Sequence, residues 1–160
     1  MLRKLLHTNN DPVLTVVRLI LGVVFFAHGA QKMLGWFGGY GFTNTMGFFE
    51  HSGIPAAFAF LAIAAEFFGG IGLLLGLLSR VAAFGITCNM LVAIATVHGA
   101  NGFFMNWTGT QKGEGFEYHL LVLAITFLLM VRGAGAFSLD RVLSRGALPE
   151  AESRPLAKTA

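Results

Sequence analysis

The stretch PAAFAFLAIAAEFFGGIGLLLGLL carries a single charged residue, Glu66. A helix that crosses a bilayer needs about 20 mostly apolar residues. Inside lipid its backbone groups must be satisfied within the segment itself, so a run of this kind is a spanning helix. The chain meets that requirement four times, over about 13–34, 55–78, 81–100 and 118–136. The reading is an all-α protein, an integral membrane four-helix bundle over 1–143 with aromatic-rich outer loops. A polar segment with two prolines follows over 144–160, read as a disordered cytoplasmic tail. The first span has a basic start like a signal peptide, but its apolar run is too long, and it reads as a retained helix.

Charge placement fixes the expected orientation. Only 12% of residues are charged, where soluble domains use about a quarter. Arg3 and Lys4, then Arg132, Arg141, Arg145, Arg154 and Lys158, gather at the chain ends, and Arg80 lies in the tight turn between the second and third spans. The opposite side holds Lys32 and Lys112 among the bases, with Glu50, Glu114 and Glu117. By the positive-inside rule both termini face the cytoplasm and both long loops face outward. Basic residues placed this way set topology and form no nucleic-acid patch. Arg18, about one and a half turns into the first span, is expected to snorkel to the cytoplasmic face. Cys88 is the sole cysteine and lies in an apolar run, which reads as a small buried hydrophobe. One thiol makes neither an intrachain disulfide nor a CxxC centre, so redox chemistry would need a cofactor, a metal, a bound substrate or a partner's thiols.

Against this apolar background a few polar residues stand out. Glu66 falls about 16 Å below the outer end of its span, near the bilayer centre. An ionisable group there must face the bundle or be neutral. It reads either as a proton-handling or ligand-binding group, or as a neutral carboxyl that ties two helices together. His28 lies roughly 9 Å from the outer end of the first span, with Lys32 one turn further on. His98 ends the third span and His119 opens the fourth. One polar residue per helix would then converge in the outer half of the membrane: His28, Glu66, His98 and His119, with Lys32 and Glu117 above them. The alternative is four separate interface residues. Three histidines and a carboxylate suit zinc or iron, and two imidazoles suit a haem, but no pair has HxxxH or ExxH spacing, so a metal or haem is the less favoured reading.

Two features frame these residues. His-Gly-Ala recurs at 28–30 and 98–100, each time ahead of a loop rich in glycine and aromatics, which suggests a weak two-fold repeat. The loops carry Trp36, Phe37, Tyr40, Phe103, Phe104 and Trp107, read as interface anchors or as a lid over an aromatic or isoprenoid ligand. Residues 43–50 are expected to form a short interfacial helix. Gly69, Gly70, Gly72 and Gly76, the last two in GxxxG spacing, read as close helix packing.

The runs RLILGVVFFAHGAQKMLGWFGGYG, AAEFFGGIGLLLGLLSRVAAFGI and EYHLLVLAITFLLM together resemble the DoxX family of small four-helix bacterial membrane proteins. The resemblance covers about residues 12–140 and places His28, Lys32 and Glu66 on the family motif positions. It implies a location in the bacterial cytoplasmic (inner) membrane and a membrane-embedded oxidoreductase role. Relatives of this kind are linked to quinone chemistry, as the small subunit of thiosulfate:quinone oxidoreductase, or to tolerance of catechols, quinones and thiol-oxidative stress. Some are membrane partners of sulfur-transfer or superoxide-removing proteins. The expectation is a quinone, as substrate or bound ligand, held under the aromatic loops. His28, His98 or His119 would meet its oxygens, Lys32 would favour the anionic reduced form, and Glu66 would move the proton, with Glu117, Trp36 and Trp107 lining the ligand. Two other readings stand beside it: a non-enzymatic scaffold for soluble redox or sulfur-transfer enzymes, and a proton or small-solute conduit, for which four short helices make a narrow pathway unless the chain forms a homo-oligomer.

Overall fold

Asp11 sets the start of the first long helix. Its carboxylate accepts from the backbone N–H groups of Val13 (2.8 Å) and Leu14 (3.4 Å), and Pro12 occupies the first turn, where its missing N–H costs nothing. The computed structural model describes residues 2–146. In chain order its helices are α1 (Leu2–Leu6), α2 (Pro12–Leu34), α3 (Gly41–His51), α4 (Ala56–Leu75), α5 (Ser79–Ala93), α6 (Glu117–Arg132) and α7 (Leu139–Gly146). No strand occurs among the described residues. The interfacial helix expected over 43–50 lies within α3. Of the segment 144–160 read as a tail, the first residues belong to α7, and 147–160 lie outside the described residues.

Three stretches, Pro12–Leu34, Ala56–Leu75 and Ser79–Asn101, are long and apolar enough to cross a membrane. The fourth expected span, 118–136, is shorter than the sequence suggested: α6 has 16 residues. At about 1.5 Å per residue that is roughly 24 Å, short of a hydrocarbon core of about 30 Å. The cause is Gly133, which ends the helix at φ 85° and packs under the backbone of His7 and Thr8. The bundle is thus three full-length spans and a shorter fourth helix.

α2 packs mainly on α4, α4 on α5, and α5 on α6. The α2–α4 seam is backbone against backbone. A Cβ on Gly29 would lie 2.4 Å from the Cα of Phe67, and one on Gly70 would lie 2.4 Å from the N of Phe26. Small residues permit this approach, and van der Waals packing then holds helices that no hydrophobic effect drives together in lipid. Gly70 is therefore the close-contact glycine of α4. Gly76, in the GxxxG pair, instead ends α4 in a left-handed turn at φ 65°. The core is apolar: Leu21, Phe25, Leu73, Ile86, Met90, Val122 and Leu129 are buried together. Val13, Val16, Ile20 and Val23 on α2, and Phe84 and Leu91 on α5, are exposed and form the lipid-facing surface. Cys88 is exposed on this same outer side of α5, not buried as its apolar run suggested, because the α5 core stripe is Ala83, Ile86 and Met90.

The arginine-bearing end is pinned by helix capping. Arg18 does not snorkel. Its side chain is 1% exposed, and its guanidinium donates to the carbonyls of Leu73, Leu74 (3.1 Å), Ala134 (2.8 Å) and Phe137 (2.7 Å). Leu73 and Leu74 belong to the last turn of α4, where carbonyls lack the usual helical donor and Leu73 accepts only a 3.2 Å bond from the capping Gly76 N–H, so the cation meets both under-used acceptors and the negative end of the helix dipole. Arg80 does the same for α6 through the carbonyls of Met130 and Val131 (3.1 Å), and also holds His7 (2.9 Å). Asp140 answers at the start of α5, accepting from the N–H groups of Leu78 (2.7 Å) and Ser79 (2.9 Å).

Candidate functional site

Glu66 lies on the buried stripe of α4 that also carries Ala59, Ile63, Gly70 and Leu73, so its side chain enters the bundle. The Gly29–Phe67 contact draws α2 close enough for Lys32, one turn beyond Gly29, to form an ion pair with the Glu66 carboxylate. The Glu66 side chain is 11% exposed and that of Lys32 27%, so the pair is reached from the surface of the bundle through the lysine. A charged pair away from water loses much of its hydration, and the mutual attraction and hydrogen bond of the two groups offset that cost. Asn89 on α5 supports the same turn, donating to the Ala62 carbonyl (2.8 Å) one turn before Glu66.

His28 is one turn before Lys32 on α2 and close enough to feel the charges of both Lys32 and Glu66. Its side chain is exposed at the helix surface. The residue therefore borders the ion pair from outside and is not a member of the buried stripe.

The other two histidines form a pair of their own. His119 opens the buried stripe of α6 and is 5% exposed. Its ring centroid lies 4.2 Å from that of His98. Three local devices bring them together. α5 loosens into a π turn over Ile94–His98, a bulge of the type frequent at functional sites, and then tightens through Gly99–Asn101. Gly99 is required there, because a Cβ would lie 2.7 Å from the Ile94 carbonyl oxygen. The loop 102–116 then closes on itself, with the N–H groups of Gly115, Phe116 and Glu117 donating to the carbonyls of Phe104 (3.2 Å), Gly102 (3.2 Å) and Phe103 (2.9 Å). His98 Nδ1 lies 2.8 Å from the Glu114 carbonyl. A carbonyl only accepts, so Nδ1 carries the proton, and in the neutral ring Nε2 is the acceptor.

Two buried polar atoms at the start of α6 have no hydrogen-bond partner among the described residues: the Tyr118 hydroxyl and His119 Nδ1. Buried polar atoms are nearly always paired, so such atoms mark a place where water or a ligand belongs. Tyr118 packs edge-on to His119, with ring centroids 5.7 Å apart, and lies within electrostatic range of Glu66. It links the two halves of the constellation, Lys32–Glu66 on α2 and α4 and His98–His119 on α5 and α6. Neither Tyr118 nor Asn89 stands out in the sequence as a site residue. A polar residue directly before His119 was the available signal for the first, and an amide within an apolar span the signal for the second.

The remaining expected ligand-binding residues lie in the loops. Glu117 is engaged structurally, accepting from the backbone N–H of Met105 (2.9 Å) and the indole N–H of Trp107 (3.3 Å). Trp107 is 86% exposed and Trp36 53%, the latter edge-on to Phe37. Both sit where interfacial anchors sit. The two His-Gly-Ala segments are not equivalent. Gly29 is a helix-crossing point within α2, Gly99 relieves a π turn at the end of α5, and only the first loop contains a helix. Among the described residues no group of three or more His, Cys, Asp or Glu side chains is arranged to hold a metal ion.

The family model described as DoxX matches residues 13–99, which contain α2 through the His98 turn and so the Lys32–Glu66 pair. The chain belongs to the DoxX family. Similar proteins include the uncharacterized membrane protein Rv3486 of Mycobacterium tuberculosis, 36% identical over 156 residues, which covers 90% of this chain and 89% of the relative. CatD of Bacillus subtilis, provisionally named an oxidoreductase, is 30% identical over 82% of this chain and 87% of its own. The inner membrane protein YqjF of Escherichia coli is 29% identical over 84% of this chain and 95% of its own. No solved structure matches this DoxX chain. The family assignment and the three apolar spans make it a membrane protein in contact with the lipid bilayer.

Proposed function

We propose that this DoxX protein is a quinone-linked redox protein of the bacterial inner membrane, with both termini in the cytoplasm. The observation that carries the proposal is the Lys32–Glu66 ion pair inside an apolar bundle, with a buried Tyr118 hydroxyl in electrostatic range of Glu66 and His119 beside that tyrosine, the hydroxyl and His119 Nδ1 both lacking partners among the described residues. A quinone entering from lipid offers carbonyl oxygens to the Tyr118 O–H and to a histidine N–H. On reduction it takes two electrons and two protons to become a quinol. Lys32 stabilises the anionic reduced form, and Glu66, already charge-paired, exchanges a proton at the ring. His28 and the His98 Nε2 continue the path of protons toward the outer surface. Two thiols of a soluble partner closing to a disulfide release the same two electrons and two protons, which fits the expected redox or sulfur-transfer partner. The provisional name of CatD supports the redox class.

The test is a quinone titration of the purified protein in nanodiscs, with Glu66→Gln, Lys32→Met and Tyr118→Phe beside the parent. The expected result is saturable binding that each variant weakens at least tenfold. A parent protein that binds no quinone overturns the proposal.

A further inference from the structure

A cleft opens at the opposite, arginine-bearing end of the bundle, remote from the Lys32–Glu66 pair. α1 packs against α7 there. Between them lies a cavity of about 300 Å³ lined by Arg3, His7, Asn10, Arg141, Ser144 and Arg145. A second cavity of about 370 Å³ shares Asn10, Arg141 and Arg145 and runs on along Phe137, Ser138 and Val142. The two form one groove whose first part is basic and hydrogen-bonding and whose second part is partly apolar. Its volume is in the range that holds a small ligand.

Three further facts identify what the groove is built for. Among the described residues no carboxylate lines either cavity. The nearest on α7, Asp140, is 1% exposed and committed to the N–H groups of Leu78 and Ser79. Arg141 Nη1 is buried, and among the described residues it has no acceptor. A guanidinium nitrogen shielded from water and left without an acceptor is costly, and the acceptor it fits best is a phosphate or carboxylate oxygen. Finally, the groove is flanked by apolar side chains that point outward: Phe137 is 76% exposed, Val142 66% and Leu143 50%. α7 is therefore amphipathic, with Arg141 and Arg145 on one side, Leu143 on the other and Val142 at the boundary where it lines the groove, as in helices that lie in a membrane interface.

We infer that the α1–α7 groove is a binding site for the phosphate group of an anionic phospholipid. The phosphodiester is held by Arg141, Arg145 and Arg3, and the glycerol and upper acyl chains run along Phe137 and Val142. Basic pockets at the membrane surface recognise lipid headgroups by this combination of charge and apolar flank. The groove lies at the ends of α1 and α7, and Arg18 and Arg80 already cap α4 and α6 there, so a bound lipid would clamp elements that are otherwise joined by short contacts.

Native mass spectrometry of the full chain in neutral detergent, titrated with phosphatidylglycerol or phosphatidylcholine, tests the site. The expected result is one phosphatidylglycerol per chain, bound at least tenfold tighter than phosphatidylcholine. Arg141→Gln and Arg145→Gln should each weaken it about fivefold, the effect of removing one interfacial charge. Arg132→Gln, an exposed charge outside the groove, should leave it unchanged. Arg145 is exposed, so its variant should keep the parent's unfolding temperature without lipid, which separates lost binding from lost folding. Equal binding of the two lipids, or an Arg132→Gln effect as large as that of Arg145→Gln, reduces the observation to general surface attraction and overturns the site. Inorganic phosphate that binds alone and displaces phosphatidylglycerol assigns the groove to a free anion and overturns the lipid assignment.

Discussion

Gly29 and Phe67 meet so closely that a methyl group on the first would lie 2.4 Å from the Cα of the second. This crossing sets the distance between α2 and α4, and through it the ion pair between Lys32 and Glu66. The clash is with backbone, which has no rotamer to escape into. Gly29→Ala should therefore force the helices apart and cost about 1–3 kcal/mol. A lowered thermal midpoint in detergent, together with weakened quinone binding, is the expected outcome. An unchanged midpoint would show that the α2–α4 seam has room for a methyl group.

The ion pair itself is open to a double-mutant cycle. Lys32→Met leaves the Glu66 carboxylate without its partner, and Glu66→Leu strands the ammonium in the same way. Each should destabilise the bundle by about 1–3 kcal/mol. The double variant Lys32→Met/Glu66→Leu should cost less than the two added together, because neither charge remains unpaired. Chemical or thermal unfolding of the four proteins measures the coupling, and simple additivity would mean that the pair contributes nothing as a pair.

Arg18 serves four carbonyls at once, which only a planar, branched cation can do. Arg18→Lys keeps the charge and loses the fork. The expected loss is about 1.5–3 kcal/mol, the worth of the charged hydrogen bonds that a single ammonium cannot remake. A lysine variant as stable as the parent would show that charge at the end of α4 is sufficient.

Gly99 permits the π turn that carries His98 to His119. Gly99→Ala places a Cβ against the Ile94 carbonyl and should straighten the end of α5. The imidazole NMR resonances of both histidines should shift, while those of Thr87 and Thr126, joined mid-span by a 2.8 Å hydrogen bond, should not. Unmoved histidine signals would mean that the loop closure alone holds the ring pair.

Much of this architecture is legible in sequence because lipid imposes a simple rule. A backbone that finds no water must bond to itself, so apolar runs of sufficient length become helices. The boundaries follow from local chemistry such as Asp11-Pro12 at the start of α2. The same rule explains why Glu66, Lys32 and His119 stand out, since each is costly in that setting unless a neighbour answers it. Periodicity does not fix which neighbour does so. Arg18 looks as though it should reach for water, yet it turns inward, because the carbonyls of Leu73, Ala134 and Phe137 are brought to it by parts of the chain far away in sequence. Cys88 sits in an apolar run, but the faces of α5 were assigned only when α4 and α6 chose their sides. The shortness of α6 depends on Gly133 folding under His7 and Thr8.

The sequence alone thus determined that the chain is helical and apolar, that its first three long apolar runs are of bilayer-spanning length, and which side chains are too polar to lie there idle. Tertiary structure decided that His28 stays at the surface while His98 and His119 pair, that Tyr118 joins the constellation, and that Lys32 answers Glu66. The physical reason is one of range. Helix formation is settled by hydrogen bonds within a few residues. The site is made by contacts between helices, and those depend on where glycines let backbones approach.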